Sequence, residues 1–267
     1  MEPPPLLKPA VSRRRWWIHL LLLTAYLLLV GALGLLRQHS RHPALSHSTG
    51  GLLWVCGREA VIFGLVFGLA WLASRATRED LLLRWRGVVL PVVLGAGYSV
   101  ALRLALAFMM FLAAVVLLCT HVLTLDSLGH FVQANRPDVE NLVDVAALRQ
   151  NPAYYWLSLT VVSFVVAGLR EELWRSAFLA GMRALWPQRF GSRAGRIGAV
   201  FIAALIFGSA HVGMGALAAV NAGLLGMGLG CLMVWHRSIW PAVIAHGMFD
   251  ATTFALLPLA MQHLQSN

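Results

Sequence analysis

Seven long apolar runs divide the chain, near 16–36, 52–73, 88–123, 153–182, 197–213, 214–235 and 239–260. Most have about the 20 residues that a helix needs to cross a bilayer. Hydrocarbon offers no water to unpaired backbone groups, so each run has to satisfy its own N–H and C=O groups, as a helix does. Composition agrees. The chain is 59% hydrophobic and 12% charged, against about 25% charged in soluble domains, so lipid has to cover much of its surface. The expected fold is an all-α, polytopic transmembrane helix bundle. The run 88–123 is too long for one upright helix and contains Arg103. It is either two helices or one long tilted helix, which leaves seven or eight spans.

Charges between the runs orient the stack. Lys8 and Arg13–Arg15 precede the first run; Arg75, Arg78, Arg84 and Arg86, against Glu79 and Asp80, follow the second; Arg183, Arg189, Arg193 and Arg196, with no acid, follow the fourth. The 126–150 loop instead carries Asp126, Asp138, Glu140 and Asp144. The positive-inside rule then puts the basic loops and the N-terminus in the cytoplasm and the 126–150 loop outside. The expected location is the bacterial cytoplasmic membrane, as a multi-pass protein with the lipid bilayer as its surroundings. The +10 net charge lies in these short loops, with no basic stretch interleaved with stacking aromatics, so no nucleic-acid partner is expected. The first run ends without a small-residue cleavage site and reads as an uncleaved span. Cys56, Cys119 and Cys231 are scattered in apolar surroundings and read as buried apolar residues. Three regions follow: a disordered N-terminus at 1–15, N-terminal transmembrane helices at 16–150, and a catalytic transmembrane region at 151–262.

Ionisable side chains deep in a span are costly and mark functional sites by default. Three groups occur in the C-terminal half: Arg170-Glu171-Glu172 with Arg175, Phe207 with His211, and His246 with Asp250. Counted from the basic ends at about 1.5 Å per residue, Glu171 lies roughly 18 Å deep, His211 roughly 22 Å and His246 roughly 13 Å. Three helices thus bring polar groups to a similar level. His246 and Asp250, at i and i+4, share a face, as do Phe207 and His211. Glu171 and Glu172 are about 100° apart, so one faces the common centre and the other pairs elsewhere, with Arg170 or Arg175 nearest. Arg58, Glu59 and Arg103 read as structural or interfacial, and the glycines at 208, 213, 215, 223, 226, 228 and 230 as allowing close helix packing.

A glutamate in such a pocket can act as general base on water, with histidines orienting the water and stabilising an oxyanion. The same side chains can also ligate a metal such as zinc. HExxH and GxSxG are both absent. Residues 168–255 resemble the CPBP family of intramembrane proteases, which includes the type II CAAX prenyl endopeptidases and bacteriocin-processing or self-immunity (Abi-like) proteins. The resemblance rests on three ordered motifs: Glu171-Glu172, Phe207 to His211, and His246 to Asp250. It implies an intramembrane endopeptidase, glutamic or metallo in type, acting on a membrane-associated protein or peptide, with CAAX-type prenylated substrates among the options. The catalytic set it implies is Glu171, Glu172, His211, His246 and Asp250. Glu171 would activate water with His211, His246 would donate, and Asp250 would fix its tautomer. No cofactor is expected; a metal, if used, would be held by Glu171, His211 and His246. One departure is visible: Arg175 comes one residue early, and Ser176 stands where the family has its arginine. A non-enzymatic immunity or regulatory protein on the same scaffold is the alternative, with an ion or proton transporter as a third class.

Overall fold

The computed structural model describes residues 11–37, 45–85, 87, 89–135 and 142–266. Residues 1–10 of the expected disordered N-terminus, with Lys8, lie outside the described residues, as do Arg86, Asp138 and Glu140. The first helix, α1, runs Arg13–Arg37, so the three arginines form its opening turn. Two further long helices follow, α2 (Thr49–Ser74) and α3 (Val89–Cys119). The loop beyond them carries two short helices, α4 (Leu125–Asn135) and α5 (Val145–Gln150).

A continuous helical rod then spans residues 152–185. It opens as α6 (Pro152–Leu157), widens into a π-helix over Ser158–Leu169, and tightens again as α7 (Arg170–Leu185). After the single turn α8 (Pro187–Phe190) come α9 (Arg193–Ser209), a 3-10 turn at Val212–Met214, α10 (Ala216–His236) and α11 (Trp240–Ser266).

Local chemistry sets the breaks. Ser48 and Ser192 accept from Gly51 N and Gly195 N and so start α2 and α9. Asn151 caps α6 through Ala153 N and Tyr154 N, with Pro152 at the first helical position. α10 begins after Gly215, whose φ of 107° suits glycine.

The chain is an integral multi-pass membrane protein. Six helices among the described residues are long and apolar enough to cross a bilayer. The 17-residue α9 is the remaining element of the bundle and corresponds to the run at 197–213. The run at 88–123 is one unbroken 31-residue helix rather than two, so an eighth span is not found among the described residues. α3 turns Leu104, Phe108 and Phe111 outward, where lipid replaces water.

Two tight crossings place the functional elements. Gly168 at the end of the π-helix meets α11 so closely that a Cβ there would lie 2.8 Å from Val243 O. On another side of α11, Gly95 of α3 leaves room for Ile244 and Ala245. His246 is thus held in a helix clamped between two others. The extra width of a π-turn also shifts the phase of the rod just before Arg170, and π-segments recur at functional sites.

Candidate functional site

At the first tight turn after the π-helix, Glu171 and Glu172 project towards α11. Both reach the same imidazole. Glu172 Oε1 lies 3.0 Å from His246 Nδ1, and Glu171 Oε2 lies 3.7 Å from His246 Nε2. Asp250 Oδ2 is also 3.7 Å from Nε2. The expectation that only one glutamate faces the common centre is therefore modified: the ring stands between them, one carboxylate at each nitrogen. Glu172, not Asp250, sits at Nδ1. A carboxylate there receives the Nδ1–H and leaves Nε2 directed towards Glu171 and Asp250.

The two glutamates have different surroundings. Glu172 is fully buried and ion-paired through Oε2 with Arg175, one helical turn on. Among the described residues, neither Glu172 Oε2 nor any Arg175 nitrogen has a further hydrogen-bond partner. Arg175 instead lies over the ring of Phe207, 4.8 Å from its centroid. Gly226 and Gly230 of α10 make space for it: a Cβ at Gly226 would come within 3.2 Å of Arg175 Nη2, and one at Gly230 within 3.4 Å of Cδ. The early arginine therefore reaches the buried glutamate, while Ser176 bonds the Leu81 carbonyl in the loop after α2.

Glu171 borders a small cavity whose wall includes Tyr26, Leu27 and Val30 of α1, with Arg170, Trp174 and Phe207. Its Oε1 accepts from Arg170 Nη2 at 3.0 Å. Arg170 Nη1 lies 3.3 Å from Glu59 Oε2, and Glu59 Oε1 accepts from Arg58 at 3.0 Å. Glu59 is thus tied to the site through Arg170. The depth count used above finds it in the sequence: Glu59 lies roughly 24 Å from Arg75 along α2, a level close to that of Arg170. The α1 wall had no such signal, because Tyr26 differs from its apolar neighbours by a single hydroxyl.

Arg103 is structural, as its sequence context suggested. Its Nη2 bonds Phe249 O at 2.7 Å and Thr252 Oγ1 at 2.6 Å, and its guanidinium covers the Phe249 ring. This fixes α11 beside Asp250.

His211 does not join the cluster. Its Nδ1 is 2.8 Å from Phe207 O at the end of its own helix, and its ring lies 4.6 Å from that of Phe207. Among the described residues it makes no hydrogen bond or ion pair with Glu171, Glu172, His246 or Asp250. Its helix end is pressed on α1, where a Cβ on Gly31 would lie 2.8 Å from Ala210 Cα and one on Gly213 the same distance from Gly34 C. No three His, Cys, Asp or Glu side chains among the described residues are grouped to hold a metal ion. Glu171, His211 and His246 are not grouped in this way among the described residues, and His211 is turned to Phe207 O instead.

Residues 152–252 match the family model described as type II CAAX prenyl endopeptidase Rce1-like. No curated protein and no solved structure matches the chain. The matched segment begins at the first residue of α6 and ends two residues past Asp250, so it contains all three motifs. The match agrees with the resemblance read from the motifs. Tyr26 and Glu59, on α1 and α2, lie outside it.

Proposed function

We propose that the protein is an intramembrane endopeptidase that hydrolyses a peptide bond of a membrane-associated protein or peptide, using water activated by Glu171. The observation that carries this reading is the asymmetry of the glutamate pair. One carboxylate is neutralised by a buried arginine and bound to an imidazole; its neighbour borders a cavity next to the other imidazole nitrogen.

In this mechanism Glu171 removes a proton from water as the oxygen attacks the scissile carbonyl. Glu172 holds the Nδ1–H of His246, so Nε2 faces the water and orients it with Asp250. His211, bonded to Phe207 O at the end of α9, is given no step. Glu171 then returns its proton to the leaving amine. Arg170, held by Glu59, positions the Glu171 carboxylate. The basic loops are cytoplasmic on this reading, and the substrate reaches the cavity within the membrane.

The test compares cells carrying wild type with cells carrying Glu171→Gln, searching the membrane proteome for a fragment lost and a precursor gained. The purified variant, reconstituted with that precursor, should turn over roughly 10²- to 10⁴-fold more slowly, the usual contribution of a general base. Near-normal cleavage by a folded Glu171→Gln variant excludes the mechanism. An ion flux without any cleavage product favours the transporter reading.

A further inference from the structure

The basic end of the bundle holds a second cavity, remote from the glutamate–histidine cluster. Its walls include Leu82, Leu179 and Val234, and three arginines line it: Arg183, Arg196 and Arg237. They come from the last turn of α7, the first turn of α9 and the residue after α10, so three separate segments bring like charges together. Among the described residues, no carboxylate lines the cavity.

The nearest acid does little to compensate them. Arg183 Nη2 bonds the main-chain carbonyl of Asp80 at 2.7 Å. The Asp80 carboxylate attracts Arg183, but its Oδ2 is already occupied by Thr77 N at 2.9 Å and Thr77 Oγ1 at 2.8 Å. Arg183 and Arg196 are close enough to repel each other. The Nε–H groups of both are buried and have no hydrogen-bond partner. Buried donors left unmade are costly, and so are neighbouring like charges. Both costs fall if a multivalent acceptor anion enters between the guanidinium groups.

The cavity also lies at a recognisable level. Trp17, Trp71, Trp85 and Trp235 are all exposed at this same end of the bundle, and Arg193 stacks on the Trp235 ring at 4.7 Å from its centroid. Exposed tryptophans at the ends of spans mark the headgroup layer.

We infer that the guanidinium groups of Arg183, Arg196 and Arg237 together bind a phosphate group, carried by a phospholipid headgroup or free in solution. Guanidinium groups match phosphate oxygens in geometry as well as charge. The tryptophan level favours the lipid as source, because phospholipid headgroups lie at that depth.

The test uses the full chain in detergent, followed by thermal unfolding, with phosphatidylglycerol, phosphatidylcholine or inorganic phosphate titrated in. Phosphatidylglycerol should raise Tm saturably, by roughly 5 °C or more at a hundredfold excess over Kd. That rise should be absent with phosphatidylcholine and lost in Arg196→Gln. It should persist in Arg189→Gln, a change at an exposed arginine outside the cavity. Arg237→Asn, which keeps a residue tolerant of the left-handed backbone there, gives a second reading if Arg196→Gln fails to fold. A rise with phosphatidylglycerol alone assigns the lipid; an equal rise with inorganic phosphate, also lost in the variants, assigns the free anion. No saturable rise with either probe, or a rise unchanged in both cavity variants, overturns the assignment.

Discussion

Replacing Arg175 by methionine removes one partner of the Glu172–Arg175 pair and leaves the other. Both side chains have no solvent exposure, so water cannot solvate the remaining carboxylate. Breaking a buried pair from one side typically costs about 3–5 kcal/mol, whereas replacing both partners is often neutral. Methionine keeps much of the arginine stem's volume beside Gly226 and Gly230, so cavity formation adds little. The expected loss for Arg175→Met is therefore about 3–5 kcal/mol, roughly a hundred- to several-thousand-fold in the folding equilibrium. Adding Glu172→Gln should restore most of it, because a neutral amide still accepts from His246 Nδ1–H without leaving a charge behind. The assay is equilibrium unfolding in mixed micelles for wild type, both single variants and the double variant, read as a double-mutant cycle. A loss under about 1 kcal/mol for Arg175→Met, or a double variant no more stable than that single variant, refutes the view that Arg175 neutralises a buried glutamate.

Three further outcomes are expected. Partial burial raises the Asp144 carboxyl, but the Ala147 N–H and the His47 ring, 2.6 Å away, outweigh it and hold the group below its ordinary value. Its contribution is present above the unfolded pKa near 3.9 and lost as pH falls through the lower folded value, so Asp144→Asn, which still caps the helix, should cost only about 0.5 kcal/mol at neutral pH and flatten the acid limb below about pH 4. Turnover of the purified protein should survive exhaustive chelation; stoichiometric zinc, with activity lost on its removal and restored by zinc alone, would reverse that expectation. Cysteines introduced at Ser192 and Gln133, in a background without Cys56, Cys119 and Cys231, should label from opposite sides of the membrane, and labelling from one side would sink the proposed topology.

Helices across lipid were legible because the bilayer imposes their length and apolarity; each run predicted from 16 to 260 contains a helix. The broken or unbroken state of 88–123 was not, since one internal arginine fits a helix break or an inward-facing anchor equally well. Arg103 proved to be the anchor, reaching α11 through Phe249 O and Thr252. Matched depth and i, i+4 spacing grouped Glu171, His211, His246 and Asp250; all but His211 meet, because helical rise and twist are nearly constant, and Glu172 joins them at the other ring nitrogen. The same count failed for side-chain direction. It assumed an ideal α-helix through Ser158–Leu169, where the rod is a π-helix, and it gave no view of the turn that points His211 Nδ1 at Phe207 O. Nothing in a list of spacings reveals that α1 closes the cavity, because its contribution is mostly shape.

The charged groups of the site also explain how a bilayer protein tolerates them. They form a nearly alternating chain: Arg58 to Glu59, Glu59 to Arg170, Arg170 to Glu171, then the His246 ring, then Glu172 and Arg175. Each full charge has an opposite neighbour, which limits the cost of burying ions away from water. Only the centre departs from this balance, where Glu171, Glu172 and Asp250 surround one imidazole. Glu172 is compensated by Arg175, and Glu171 shares Arg170 with Glu59. Asp250 has no arginine paired with its carboxylate among the described residues, because Arg103 is spent on the backbone and threonines of α11. The acidic excess therefore falls on the side of His246 that faces Glu171. On the proposed mechanism that is where the hydrolytic water needs acceptors, and removing an acceptor there should change proton transfer more than folding.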